Sequence, residues 1–220
     1  GAWSPALDGG LSRRYTASNI SVAKYLATRA DDERLQVLAV INPTGDLAGA
    51  EREFAVVEKS LKGVRGVQLT PLRGEAATRE AIRERLESGA FDMVHYAGHA
   101  FFDQDDPLNS GLICAGDDVL TGRDAAKLSS LPSLVFFNAC EAGRIRRRGR
   151  NVSARREPHA AAGLAEALLR GGIANFVGTY WPLGDEPAVE FARAFYRQLA
   201  SGEPIGPAIC TARRAIRKST

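Results

Sequence analysis

The segment Leu134-Val-Phe-Phe-Asn-Ala-Cys-Glu-Ala-Gly143 decides how the rest of the chain is read. Four consecutive large apolar residues with no polar alternation describe a strand covered on both faces, the signature of a parallel sheet sandwiched between helices. The run stops at Asn138, and small residues then surround a single cysteine, Cys140. A second segment of the same kind, Asp92-Met-Val-His-Tyr-Ala-Gly-His-Ala100, ends in a glycine and a histidine, His99.

Working outward, further apolar runs rich in β-branched residues lie at Leu35 to Ile41, Val67 to Pro71, Phe91 to Tyr96 and Ile173 to Tyr180. Helical periodicity fills the intervals around Gly49 to Leu61, Thr78 to Glu87, Thr121 to Leu128 and Ala160 to Leu169, and two more helices close the chain, from about Glu186 to Leu199 and Pro207 to Lys218. Alternation of strands and helices predicts an α/β layer fold with a mostly parallel central sheet. Thr121 with Asp124 resembles a capping box. Ala188, Phe191, Ala192, Phe195 and Leu199 form a stripe at helical spacing that is expected to lie on the sheet. Asp103 to Ile113, with Pro107, Asn109 and Gly111, reads as a turn-rich excursion containing a small hairpin.

The 220 residues, 45% hydrophobic and 25% charged, suit one compact domain spanning 1–220. The chain opens Gly1-Ala2, as a domain cut from a longer multidomain protein would. No stretch approaches the roughly 18 apolar residues of a membrane span, and no export signal is visible. Three scattered cysteines, Cys114, Cys140 and Cys210, suggest neither a disulfide framework nor a zinc cluster, so a reducing, cytoplasmic compartment is expected. Seven arginines and two glutamates fall between Glu141 and Pro158, and their excess outweighs the overall net charge of +3. The basic character therefore belongs to one loop, 141–157, too polar to pack and expected to be flexible.

In an open parallel sheet, reactive groups collect at the carboxyl edge of the strands. Both His99 and Cys140 follow strand ends, so if those strands are neighbours the pair emerges on one edge. A thiol needs a nearby imidazole to raise its thiolate fraction and to protonate the leaving amine, and the tetrahedral intermediate needs backbone N–H donors such as those near Ala100 and Gly143. By spacing alone the alternative stays open that Cys140 is a core cysteine and His99 a hydrogen-bonding strand-end residue.

The motifs His95-Tyr-Ala-Gly-His-Ala100, Pro107-Leu-Asn-Ser-Gly-Leu112 and Leu134 to Gly143 resemble the CHAT domain, a caspase-like cysteine peptidase family related to caspases, separase and gingipains. Arg14 to Ala30, Val40 to Pro43, Gly178 to Asp185, Phe195-Tyr196 and the Ala208 to Ile216 segment match the family's flanking elements. The resemblance implies a three-layer α/β/α sandwich and a bacterial-type cysteine endopeptidase: His99 as general base and acid, Cys140 forming an acyl-enzyme, and the amides of Cys140 and Ala100 as oxyanion hole. The family often has glycine at the position of Ala100; alanine keeps the N–H but is expected to narrow the backbone choices and to add a methyl in the cleft. His95 is expected to point inward and orient the turn.

By resemblance, substrate lies extended beside Thr179, Tyr180 and Trp181, which alternatively cap the core. Asp185 is either an acid for a basic P1 side chain or the N-cap of the following helix. The arginine loop from Arg144 to Arg156 corresponds to a processing linker in caspases. The implied partners are a protein or peptide substrate and a fused or associated regulatory module such as tetratricopeptide repeats; no membrane, no nucleic acid and no cofactor is expected. Asp103 to Asp106 lacks EF-hand spacing, no phosphate loop or HExxH motif occurs, and no metal site is expected. The rival readings are a catalytically silent CHAT scaffold and an anion- or nucleic-acid-binding domain working through the arginine loop.

Overall fold

A computed structural model of the chain describes residues 34–101, 103, 105–139, 165–166, 168–169, 173–178 and 184–219. Cys140, Thr179, Tyr180, Trp181, the Arg14 to Ala30 segment and the arginine loop lie outside the described residues.

The elements in chain order are β1 (Leu35–Ile41), α1 (Ala48–Leu61), β2 (Val67–Arg73), α2 (Arg79–Glu87), β3 (Met93–Ala97), β4 (Ala100–Phe101), β5 (Gly111–Ile113), β6 (Val119–Thr121), α3 (Gly122–Ala125), β7 (Leu134–Asn138), β8 (Asn175–Gly178), α4 (Asp185–Ala200) and α5 (Ile205–Ser219). β2-β1-β3-β7-β8 form a sheet in which every described pairing is parallel, and β4-β5-β6 form a small antiparallel sheet. β3 and β7 are buried at all five positions each, as their unbroken apolar runs demanded.

Alternate residues of each strand serve opposite faces. Leu38, Val40, Val94, Tyr96, Val135 and Phe137 pack with Ile82 and Leu86 of α2 and with Leu120 and Leu128 on one face. Val37, Met93, Phe136 and Val177 pack with Val57 and Leu61 of α1, Phe195 and Tyr196 of α4, and Ala208 and Ala212 of α5 on the other. The three layers are thus helix, sheet and helix.

Local differences from the sequence pattern have local causes. β2 continues through Pro71 to Arg73 because, among the described residues, it is an edge strand, where a missing N–H costs no ladder bond. α3 opens with the Thr121/Asp124 capping box but lasts one turn: the amides of Lys127 and Leu128 donate to carbonyls three residues back, tightening the chain out of the α-helix. The Asp103 to Ile113 excursion feeds the small sheet, in which a Cβ on Gly111 would meet the Leu120 carbonyl oxygen at 2.2 Å. On α4, Ala188, Ala192 and Phe195 are buried as expected, Phe191 and Leu199 are half-buried, and Val189 and Tyr196 complete the covered face. Among the described residues no helix is long and apolar enough to cross a membrane.

Phe136 is the hub of the second face, its ring centroid 5.0 Å from His95, 5.2 Å from Phe195, 5.5 Å from Tyr196 and 6.0 Å from Phe191. Phe136→Ala is expected to cost about 3–5 kcal/mol of unfolding free energy, because rigid neighbours from sheet and helix cannot collapse into the void. Urea denaturation checks this; a loss below about 1 kcal/mol would contradict tight packing there.

Candidate active site

The strand order reverses between β1 and β3: β2 lies on one side of β1, while β3, β7 and β8 extend on the other. In open α/β sheets the crevice beyond the carboxyl ends at such a point is where ligands bind. The loops after β1 and β3 and the end of β7 meet there, with the amino-terminal ends of α1 and α4 beside them, and together they line a cleft that includes Gly98, Asn138, Gly49 and Asp185.

β3 and β7 are direct parallel neighbours in the register Met93↔Leu134 to Ala97↔Asn138. His99 follows Ala97 by two residues and Cys140 follows Asn138 by two, so the sequence offsets match across the ladder. The backbone N–H of Gly98 donates to the carbonyl of Asn138 at 3.2 Å, tying the turn before His99 to the end of β7. The thiol itself, with Thr179, Tyr180 and Trp181, falls outside the described residues.

Tyr96 holds the His99 turn from beneath. It is wholly buried, and its hydroxyl donates toward two carbonyls, that of His99 and that of Ile113 at 2.8 Å. Burial, chiefly, raises its pKa and keeps the hydroxyl protonated. Tyr96 also explains Gly98, though not through turn freedom: Gly98 is not among the residues with left-handed φ, and the constraint is space. A Cβ there would sit 2.6 Å from Tyr96 Oη and 3.0 Å from Pro43 Cδ. His95, expected to orient this turn, instead points away from it and bonds Tyr196 through Nδ1 at 2.9 Å.

His99 has a partner that sequence reasoning missed. Its Nε2 lies 3.0 and 3.1 Å from the two carboxylate oxygens of Asp46, in the loop after β1. A hydrogen bond from the Thr44 hydroxyl, chiefly, lowers the Asp46 pKa against a desolvation that raises it, with His99 adding to the lowering, so the carboxylate is ionised. The imidazole then carries its proton on Nε2 and leaves Nδ1 as the basic nitrogen. The loop is folded by Asn42, which adopts φ 46°, accepts a bond from the Leu47 amide on its side chain at 2.9 Å and donates its own amide to the Ala97 carbonyl at 2.8 Å. No local motif marks Asp46; only strand order brings it to His99.

Ala100 is fully buried, and its methyl belongs to the core cluster beneath the sheet, so it does not stand in the cleft as expected. The Ile113 amide donates to the His99 carbonyl at 3.0 Å, which makes 99 and 113 the bonded pair of the β4–β5 ladder. Antiparallel alternation then turns the Ala100 N–H away from β5. Asp185 is not the cap of α4: Gly184 holds that position, and Asp185, in the first turn, pairs with Arg52 at 2.9 Å on the cleft rim. Of the acidic excursion, Asp103 accepts the amides of Asp105 and Asp106, and Asp106 pairs with Arg123.

Behind the strand ends lies a buried polar cluster. Glu53 of α1 accepts from Asn138 Nδ2 at 2.5 Å on Oε2, while its Oε1 stands 3.4 Å from His95 Nε2. Desolvation pushes Glu53 up to about 8, with Asp185 adding to the rise, and pushes His95 down to about 3. Despite the short separation, this is a neutral pair holding one proton and not an ion pair. Glu53 was detectable in sequence as the one acid within the apolar stripe Ala50, Phe54, Val57 and Leu61.

The family model of the CHAT domain matches residues 6–220. This chain belongs to the CHAT domain family. Among solved structures, the CHAT fold here is similar to the Arg specific cysteine proteinase gingipain R (RGPB), with a TM-score of 0.61 at 15% identity over 94% of this chain and 49% of that one. It is similar also to the Porphyromonas gingivalis complex of RgpB pro- and mature domains, with a TM-score of 0.58, 15% identity and coverage of 86% and 44%. Separase in the Saccharomyces cerevisiae separase–securin complex aligns with a TM-score of 0.49 at 17% identity, over 89% of this chain and 12% of that one. The CHAT chain thus spans about half the length of the gingipain chain or less. No curated protein matches it. The fold is that of the caspase-like cysteine peptidases.

Two outcomes follow from this geometry. Gly98→Ala is expected to lose about 1–3 kcal/mol through overpacking against the immobile Tyr96 ring, measurable as a lowered denaturation midpoint. For the Glu53–His95 pair, the folded chain retains a proton on Glu53 between its ordinary 4.5 and about 8, so stability falls as pH rises through that window. The unfolded chain protonates His95 between about 3 and its ordinary 6.5, so stability falls as pH drops through that window. The slopes oppose between 4.5 and 6.5, giving a plateau there and a one-proton decline up to about 8. Denaturation at stepped pH checks this, and Glu53→Gln should abolish the alkaline decline.

Proposed function

We propose that this CHAT domain is a cysteine endopeptidase in which Cys140 is the nucleophile, His99 the general base and acid, and Asp46 the residue that orients His99. The observation that carries the reading is the β3–β7 register, Ala97↔Asn138, with His99 and Cys140 at matching offsets beyond it. Asp46 on Nε2 leaves Nδ1 to take the thiol proton, and its charge stabilises the imidazolium that forms.

The thiolate attacks the scissile carbonyl carbon, and the negative charge moves to the carbonyl oxygen, held by the amides of Ala100 and Cys140. The direction of the Ala100 N–H away from β5 supports this assignment. As the intermediate collapses, the C–N bond breaks and His99 gives its proton to the leaving amine. The thioester is then hydrolysed by a water that His99 deprotonates, which restores the thiol.

The substrate is a protein segment lying extended along Thr179, Tyr180 and Trp181. Asp185 on the cleft rim supports a basic side chain at P1, which would compete with Arg52 for the carboxylate. A regulatory module, fused to the domain or associated with it, controls its activity.

Digestion of a peptide library by wild type and Cys140→Ala tests the reading, with cleavage expected only from wild type. Equal cleavage by both would sink the peptidase assignment. His99→Ala is expected to lower kcat by about 10²–10⁴-fold and Asp46→Ala by about 10- to 100-fold, the smaller loss reflecting the 63% exposure of the Asp46 side chain. Asp185→Asn should raise KM for substrates with Arg or Lys at P1 more than for others; an unchanged preference would remove Asp185 from recognition.

A further inference from the structure

We propose that Glu53 is a positioning residue for the peptidase site, its carboxyl group bridging Asn138 at the tip of β7 to His95 on the strand that leads to His99. The inference rests on the peptidase reading and extends it to a residue that touches no substrate.

Asn138 is the joint between the two strand tips. Its carbonyl accepts the Gly98 amide, two residues of chain from it lead to Cys140, and its side-chain amide donates to Glu53 Oε2 at 2.5 Å. The other oxygen, Oε1, faces His95 Nε2 at 3.4 Å; both atoms are buried and neither has a hydrogen-bond partner. His95 Nδ1 lies 2.9 Å from the Tyr196 hydroxyl.

Two buried acceptors left facing each other cost several kcal/mol, and one proton between them removes that cost. With the proton on Oε1, the O–H donates to His95 Nε2, His95 Nδ1–H donates to Tyr196, and Asn138 donates to Oε2. Asn138 Nδ2, both Glu53 oxygens, both His95 nitrogens and the Tyr196 oxygen are then all used, and α1, α4, β3 and β7 are tied behind the cleft.

When Glu53 ionises, the same bonds survive only if His95 changes tautomer, placing its proton on Nε2 and accepting from Tyr196 on Nδ1. The resulting buried carboxylate is repelled by Asp185, which lines the same cleft and whose charge is only partly offset by Arg52. Burial keeps both His95 and the Tyr196 hydroxyl neutral, so neither offsets that charge. Asn138 donates to the carboxylate as well as to the neutral acid, so the change falls on His95, whose bonds to Glu53 and to Tyr196 both reverse on the strand that leads to His99. The rise of the Glu53 pKa to about 8 agrees with this balance and puts the change just above neutrality.

The test compares pH profiles of kcat and KM for wild type, Glu53→Gln and Glu53→Leu in the full chain, on a peptide found by the library digestion. Gln supplies an N–H for His95 and an oxygen for Asn138 with no charge to lose; Leu supplies neither. Glu53→Leu should lower kcat at least tenfold at pH 7 with KM little changed. Glu53→Gln should restore most of that loss and lack the alkaline fall near pH 8 that wild type shows. In Cys140→Ala, ¹⁵N-histidine NMR should find His95 as the Nδ1–H tautomer at pH 6 and the Nε2–H tautomer above pH 9, with no switch when Glu53→Gln is added.

Identical alkaline limbs in wild type and Glu53→Gln, an undiminished kcat in Glu53→Leu, or a His95 tautomer that never changes each overturns the proposal. If Glu53→Leu does not fold, the Gln profile and the tautomer decide. Cleavage by Cys140→Ala equal to wild type would instead show that the peptidase reading has failed and would take the positioning role with it.

Discussion

The parallel pairing of β3 with β7, from Met93↔Leu134 to Ala97↔Asn138, is the constraint on which the candidate site depends, because each strand is followed after two residues by one member of the proposed pair, His99 and Cys140. Parallel strands in register end at the same edge, so Ala97 and Asn138 stand level there without any flexible element to arrange them. The Gly98 amide on the Asn138 carbonyl extends that pairing one step past the ladder. Covering both faces of the pair with apolar side chains makes the register costly to change, since a slip by one residue would reverse the two faces.

Around this pair, polar groups are placed by elements far apart in sequence. Asp46 comes from the loop after β1, Glu53 from α1, Tyr96 from within β3 and Ile113 from the small antiparallel sheet. That small sheet is an insertion between β3 and β7 whose contribution to the site is to hold the His99 carbonyl from the side. Two carboxylic acids thereby stand in contrasting surroundings. Asp46, exposed and held by Thr44 and His99, keeps its charge, while Glu53, buried against Asn138 and His95, does not. One suits the stabilisation of a cation, the other the bridging of a neutral amide and a neutral ring.

The sequence alone determined the layers, most strand positions and the pairing of His99 with Cys140 as candidates, because these depend on local features: unbroken apolar runs, helical stripes and small residues after strand ends. It also marked the Thr121 cap and the inward direction of His95. Tertiary structure decided what local pattern does not encode. Asp46 meets His99 only because β1 lies beside β3. Gly98 is required by the buried Tyr96 ring and not by its own φ, and the Ala100 methyl goes to the core because β4 pairs with β5. Glu53 showed as an acid in an apolar stripe, yet its neutral state follows from burial beside Asn138, His95 and Asp185. Short-range periodicity is written in consecutive residues; the charge state and partner of a side chain depend on which strands become neighbours.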